Sequence, residues 1–124
     1  MMKIYYYSMT GNTESFLKRS TFTNYENITS IEDVNEPFII ATGTVNYGEV
    51  PLPVDNFLSR HSKYLKGVIS SGNRNWGENF AKAGDVIAEK YNVPLIMKFE
   101  LRGGQKELNQ FNERMEKFEK VQSY

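Results

Sequence analysis

The stretch Ile4-Tyr5-Tyr6-Tyr7-Ser8-Met9-Thr10-Gly11-Asn12-Thr13 decides how the rest of this chain is read. Its opening apolar run predicts a strand over residues 3–8. Phe16 and Leu17 then fall on one face of a helix over residues 12–19. The turn between them holds three hydroxyls, from Ser8, Thr10 and Thr13, with Gly11 and Asn12 to let the backbone turn. Hydroxyls and free N–H groups at a helix N-terminus suit a phosphate. The turn has no lysine, so it is not the triphosphate loop GxxxxGK[ST], and it points to a monophosphate held by neutral donors. Taken alone, it fits a plain strand-to-helix turn with N-capping residues equally well.

Outward from this turn, short apolar runs alternate with helical stretches. Residues 25–31 alternate weakly and predict a short edge strand. Residues 37–42 predict a buried strand around Phe38-Ile39-Ile40. Residues 53–62 predict a helix with Val54, Phe57 and Leu58 on one face and Pro53 in its tolerated first turn. Residues 66–71 and 94–100 predict the fourth and fifth strands. Phe80, Ala83, Ile87 and Tyr91 predict one helix over 76–91, and Leu108, Phe111, Met115 and Phe118 another over 106–118, with residues 119–124 frayed. Residues 30–36 read as a loop. Strands alternating with helices imply an α/β fold, a parallel sheet covered on both faces. No repeat or linker interrupts the pattern, so one domain over 1–124 is expected.

The carboxyl ends of strands in such a sheet face the ligand crevice, so the loops after the first, third and fourth strands converge. The second loop, residues 42–51, sets Tyr47 between Asn46 and Gly48. By itself Tyr47 reads more simply as a cover for the core edge. The third loop, Ser70-Ser71-Gly72-Asn73-Arg74-Asn75-Trp76-Gly77, carries the sole tryptophan among glycines and amides. Trp76 alone could equally pack against the next helix, whereas Asn73 and Asn75 could meet the polar edge of a heterocycle. Together the loops offer a phosphate nest, an amide-rich rim, and Tyr47 and Trp76 as opposite walls sandwiching a flat ring. Flavin mononucleotide (FMN) matches that set better than a sugar, a metal or a peptide.

Composition narrows the remaining classes. The 124 residues carry fifteen basic and fifteen acidic side chains, which gives no basic face for nucleic acid and no polybasic arm for a membrane. No apolar run approaches ~20 residues and no signal-peptide pattern opens the chain, so the expected location is the cytosol. Without cysteine, thiol catalysis and thiolate metal sites are excluded, and the single histidine cannot build a His-rich metal site. His61 lies outside the three loops and reads as a solvated helix residue. Arg74 reads as solvent-facing or part of a partner surface, and residues 113–117 as a solvated helix face.

At these loops the chain resembles the flavodoxin-like NrdI family, FMN carriers that serve class Ib ribonucleotide reductase. The resemblance spans essentially the whole chain. It is carried by Ser8-Met9-Thr10-Gly11-Asn12, by Phe38-Ile39-Ile40 leading to Tyr47-Gly48-Glu49-Val50-Pro51, by Ser71-Gly72-Asn73-Arg74-Asn75-Trp76-Gly77, and by residues 94–103 around Lys98-Phe99-Glu100-Leu101. The SGNRNWG stretch is the specific one, since the first loop alone would say only flavodoxin-like. The resemblance implies a three-layer sandwich with strand order 2-1-3-4-5. It implies that Ser8, Thr10, Gly11, Asn12 and Thr13 hold the phosphate, that Tyr47 and Trp76 flank the isoalloxazine, and that Gly72, Asn73, Asn75 and Gly77 line its edge. Met9, Thr44, Val45, Asn46, Gly48 and Ser71 complete the implied FMN-binding set. In the family a peptide beside flavin N5 reorients on reduction, often through a glycine before the aromatic; here that position is Asn46.

The task so implied is to activate a partner rather than to turn over a metabolite. Reduced FMN reacts with O2 to make a superoxide or peroxide-level oxidant. That oxidant passes to the reductase small subunit, NrdF, where it oxidises a dimanganese centre and generates the tyrosyl radical. The manganese belongs to the partner, and a flavin reductant, unnamed by the sequence, supplies electrons. A general one-electron flavodoxin is the nearest rival, weakened by the balanced charge: an acidic surface disfavours the fully reduced anion, and a neutral chain lacks much of that penalty. A phosphoacceptor domain of similar fold would need carboxylates after the first strand, where this chain has tyrosines and a serine.

Overall fold

The computed structural model describes residues 2–122. Five strands form one sheet: β1 (Lys3–Tyr7), β2 (Tyr25–Asn27), β3 (Phe38–Thr42), β4 (Leu65–Gly72) and β5 (Leu95–Glu100). Their order is β2-β1-β3-β4-β5, and every neighbouring pair is parallel, as expected. The helices are α1 (Asn12–Arg19), α2 (Leu52–His61), α3 (Lys82–Tyr91) and α4 (Gln105–Gln122).

The central strands β1 and β3 are apolar on both faces because each feeds two cores. Successive side chains of a strand point to opposite sides. Ile4 and Tyr6 of β1, with Ile39 and Ala41 of β3, pack into one cluster with Phe16 and Leu17 of α1 and Phe111 and Met115 of α4. Tyr5, Phe38 and Ile40 pack into the other, with Val54, Phe57 and Leu58 of α2 and Ile87 of α3. Two helices therefore cover each face. Phe16 stacks on Phe99 at 4.0 Å and meets the edge of Phe111 at 5.3 Å, which pins α1 against β5 and α4. Strand order reverses between β1 and β3, so the loops leaving these two strands diverge and open a crevice at their carboxyl ends.

The helix termini carry the expected chemistry. Glu14 lies in the first turn of α1 and Lys18 and Arg19 in its last, complementing the helix dipole. Asn92 ends α3 in the left-handed conformation with its N–H on Ala88 O, and Pro94 follows. At the start of α4 the Glu107 carboxylate accepts the Gly104 N–H at 3.1 Å.

Several expectations change. The second strand stops at Asn27, because the Asn27 side-chain oxygen accepts the Thr29 N–H at 3.0 Å and turns the chain into a short 3-10 segment, Ile28–Ser30. The helix expected over 76–91 is two pieces. Arg74–Asn79 is an interrupted 3-10 segment, and α3 begins only at Lys82. Gly77 sits at φ 56, ψ −119, which no helix allows, Phe80 is extended at ψ 117, and Ala81 is left-handed at φ 50. Phe80 mimicked a helical position but packs from the loop, beneath the Arg74 guanidinium at 4.5 Å. The last helix runs on to Gln122, aided by a Lys120–Glu116 pair at 3.6 Å, so residues 119–122 are helical rather than frayed, while Ser123 and Tyr124 lie outside the described residues. His61 is not solvated as expected: it is partly buried against Phe57, ring centroids 4.8 Å apart, with Nε2 shielded and making no hydrogen bond. No helix among the described residues is long and apolar enough to cross a membrane.

Candidate cofactor site

A cleft of about 180 Å³ lies where the loops after β1, β3 and β4 meet at the carboxyl edge of the sheet. Eighteen described residues line it, from Tyr7 to Leu101, and none carries a carboxylate, ammonium, guanidinium or imidazole. Any negative group bound here is met by neutral donors and oriented dipoles.

The first wall is the β1–α1 turn. Gly11 caps α1 at φ 85 with no side-chain cap. The amides of Gly11, Asn12 and Thr13 consequently have no partner within the helix. Ser8 Oγ accepts the Glu14 N–H at 3.3 Å, which leaves its own proton free to donate. Thr13, only 2% exposed, sits on the floor with its hydroxyl 3.4 Å from that of Ser71, joining the first and third loops. Glu14 itself is engaged away from the cleft. It pairs with Lys18 at 3.0 Å and accepts the Tyr6 hydroxyl at 3.0 Å. Lys18 first, then Tyr6, hold its carboxyl below the ordinary value, while burial and this same bond to Glu14 push the Tyr6 phenol up.

The second wall is a tight loop closed by an antiparallel bridge between Val45 and Glu49. Val45 N–H donates to Glu49 O at 3.0 Å and Glu49 N–H to Val45 O at 2.8 Å. Asn46 takes up φ 50 and Gly48 φ 100, which projects Tyr47 outward, 74% exposed. Thr44 Oγ1 accepts the Ala83 N–H at 3.3 Å and ties this loop to α3.

The third wall leaves β4 at Gly72. A Cβ there would lie 2.5 Å from the Ala81 amide nitrogen, so only glycine admits the returning chain. Ser70 Oγ donates to Ala81 O at 2.7 Å and Leu101 N–H to Gly72 O at 2.8 Å, closing the base. Asn73 Oδ1 accepts the Asn75 N–H at 2.9 Å, which fixes the side chain and leaves its amide protons for a ligand. Trp76 is half exposed.

Twelve of the seventeen expected binding residues line the cleft: Ser8, Met9, Thr10, Asn12, Thr13, Thr44, Val45, Asn46, Ser71, Gly72, Asn73 and Trp76. Gly11, Tyr47, Gly48, Asn75 and Gly77 lie in the same loops but outside its lining. The expected pair of opposed ring walls is not preformed. Tyr47 and Trp76 touch each other edge to face, centroids 5.4 Å apart and planes at 88°, so a flat ring enters between them only after that contact opens. Sequence reasoning missed Tyr7, Gly43, Pro51, Asn79, Ala81 and Leu101. Tyr7, Gly43 and Leu101 flank strand ends and were reachable from the strand boundaries; Ala81 and Asn79 were hidden by the expectation of a continuous helix.

Residues 4–113 match the family model described as NrdI flavodoxin-like. Among solved structures the chain is similar to oxidised flavodoxin 1 from Bacillus cereus, with TM-score 0.70, 20% identity, and coverage of 94% of this chain and 97% of that one. It is also similar to a short-chain flavodoxin associated with a non-canonical PDU bacterial microcompartment (TM-score 0.72, 19% identity, 97% of each chain). Flavodoxin 2 from Bacillus cereus gives TM-score 0.71 and 20% identity over 97% of this chain and 98% of that one. At such identities these three likenesses speak for the fold.

Proposed function

Because the chain belongs to the NrdI flavodoxin-like family, we propose that it binds FMN in this cleft and activates the dimanganese small subunit of a class Ib ribonucleotide reductase. The observation that carries the reading is the uncharged lining beside the open N-terminus of α1.

The residues fit the group. A phosphate monoester is served by the Gly11, Asn12 and Thr13 amides and the hydroxyls of Ser8 and Thr10, with the positive end of the α1 dipole behind them. Neutral donors suffice where a lone phosphate remains partly solvated. Gly72 lets the Ala81 backbone pack directly against β4 at the base of the cleft, and Asn73 donates from the rim. Tyr47 and Trp76 contribute stacking of roughly 0.5–1.5 kcal/mol each beyond area burial. Bound FMN supplies one- and two-electron chemistry, including the reduction of O2 to the oxidant the partner needs. The chain's own work is to hold the phosphate, shield the ring faces and leave an edge accessible. Among the described residues no cluster of three or more His, Asp or Glu could hold a metal.

The lining also speaks against a phosphoacceptor or an acid–base hydrolase, each of which needs a carboxylate or imidazole in the site. The general electron carrier is the second reading, and the balanced net charge of +0 disfavours it. The deciding experiment mixes the reduced holoprotein, metal-free small subunit, Mn2+ and air and records the tyrosyl radical by electron paramagnetic resonance. Radical formation dependent on this protein is expected. No radical, with a small subunit proven active by another route, would leave the general carrier.

A further inference from the structure

The Trp76 segment is held from outside, by β5. Its own main-chain bonds are local: Trp76 N–H to Asn73 O at 3.1 Å and Phe80 N–H to Gly77 O at 3.0 Å, with the break at Gly77 between them. Lys98 and Glu100 are two residues apart on β5 and so share one face of the sheet. Glu100 Oε2 accepts the Arg74 main-chain N–H at 3.0 Å, and its other oxygen lies 3.7 Å from Arg74 Nε. Lys98 Nζ donates to Phe80 O at 3.1 Å and also to the Asp85 carboxylate in the first turn of α3. The Phe80 ring lies within reach of both cations, 4.5 Å from the Arg74 guanidinium and 5.9 Å from Lys98 Nζ. As part-exposed ion pairs these contacts would contribute little. Their weight comes from the main-chain groups they engage, one at each end of the segment that carries Trp76, through charge-assisted bonds that fix the backbone itself.

We infer that Lys98 and Glu100 are positioning residues for the cofactor. By gripping the backbone at Arg74 and Phe80 they set where Trp76 and Asn73 stand, and through them the affinity of the cleft. This rests on the FMN reading above, and the test separates the two. Trp76 is the only tryptophan, so its fluorescence anisotropy reports on the segment in the flavin-free full-length chain. Glu100→Ala removes the acceptor and the charge, Glu100→Gln removes the charge alone, and Lys98→Met keeps the apolar stem without the donors. Glu100→Ala and Lys98→Met should each lower the Trp76 anisotropy and weaken FMN about tenfold, the scale of one charge-assisted hydrogen bond. Glu100→Gln should restore the anisotropy and bring FMN affinity back within about threefold of the native chain. Far-UV circular dichroism on each variant verifies the fold. Unchanged anisotropy and affinity in Glu100→Ala, or a Glu100→Gln variant as weak as Glu100→Ala, would overturn the inference; the latter would mean that charge, not the hydrogen bond, matters. If the native chain itself does not bind FMN, the flavin reading fails, while the anisotropy comparison still decides whether β5 grips this segment.

Discussion

Replacing Gly72 by alanine should damage the protein out of proportion to one methyl group. The new Cβ would stand 2.5 Å from Ala81 N and 2.9 Å from Ala81 Cα. Ordinary contacts of this kind are about 3.5 Å, so one backbone must retreat by ~1 Å. Neither atom can rotate away, because both are main chain. Ala81 is fully buried, and its carbonyl oxygen is held by Ser70 Oγ at 2.7 Å. Overpacking of a tight site costs about 1–3 kcal/mol, and loss of that buried hydrogen bond about 0.5–1.5 kcal/mol more. For a chain of this size each kcal/mol moves the melting temperature by roughly 3–5 °C, so Gly72→Ala should lose roughly 5–20 °C. Gly43→Ala is the control on the neighbouring strand end. Its Cβ would find only Ser71 Oγ, at an unstrained 3.8 Å. Its melting temperature should stay within about 2 °C of the native value, as for a substitution with no steric conflict. Thermal unfolding followed by circular dichroism compares the two variants directly. Equal melting temperatures would refute the claim that Gly72 and Ala81 are pressed together.

Gly77→Ala meets no atom within 4 Å but must adopt φ 56, ψ −119; pure backbone strain of about 1–3 kcal/mol should appear as a lower melting temperature, and a fully native value would show that the kink is not as described. Glu14 has its carboxyl held below the ordinary 4.5 by Lys18 and Tyr6, so the folded state favours the ionised form. That contribution is present above pH 4.5 and lost as pH falls through the depressed value, so the difference in urea midpoint between the native chain and Glu14→Gln should shrink on acidification below that point. A difference that grows on acidification would invert the assignment. Asn46 already occupies φ 50, with Nδ2 3.4 Å from Glu49 Oε2. Asn46→Gly frees the adjoining peptide and should change the gap between the two one-electron reduction potentials of the FMN complex; an identical gap would remove Asn46 from redox tuning.

Much of the fold was legible because the central strands β1 and β3 are apolar on both faces, and a run such as Phe38-Ile39-Ile40 had only a two-sided sheet in which to hide. The β1–α1 turn was legible as a turn, where Gly11 takes φ 85, but its hydroxyls serve the helix end as readily as a ligand: Ser8 Oγ accepts the Glu14 N–H at 3.3 Å. The third loop was legible in composition but not in course. Phe80 keeps helical register with Ala83 and Ile87, yet it packs against Arg74, earlier in the same loop, and Lys98 of β5, contacts that helical spacing does not reveal. The contact between Tyr47 and Trp76 is likewise a meeting of two loops, each set by its own backbone, at Asn46 and Gly48 in one and at Gly77 in the other. The placing of Leu101 against Gly72 is an accident of where β5 stops.

On the function proposed above, uncharged donors at the start of α1 anchor the phosphate of a flavin whose ring lies at the sheet's edge. Titrating the flavin-free chain with FMN and, separately, with riboflavin, read by quenching of flavin emission, decides whether the phosphate is what holds the ligand. One equivalent of FMN should bind, and riboflavin, lacking the phosphate, should bind at least about tenfold more weakly, the loss of roughly one net charge-assisted interaction. Equal affinity for both would contradict the phosphate anchor, and quenching by neither would contradict the account as a whole.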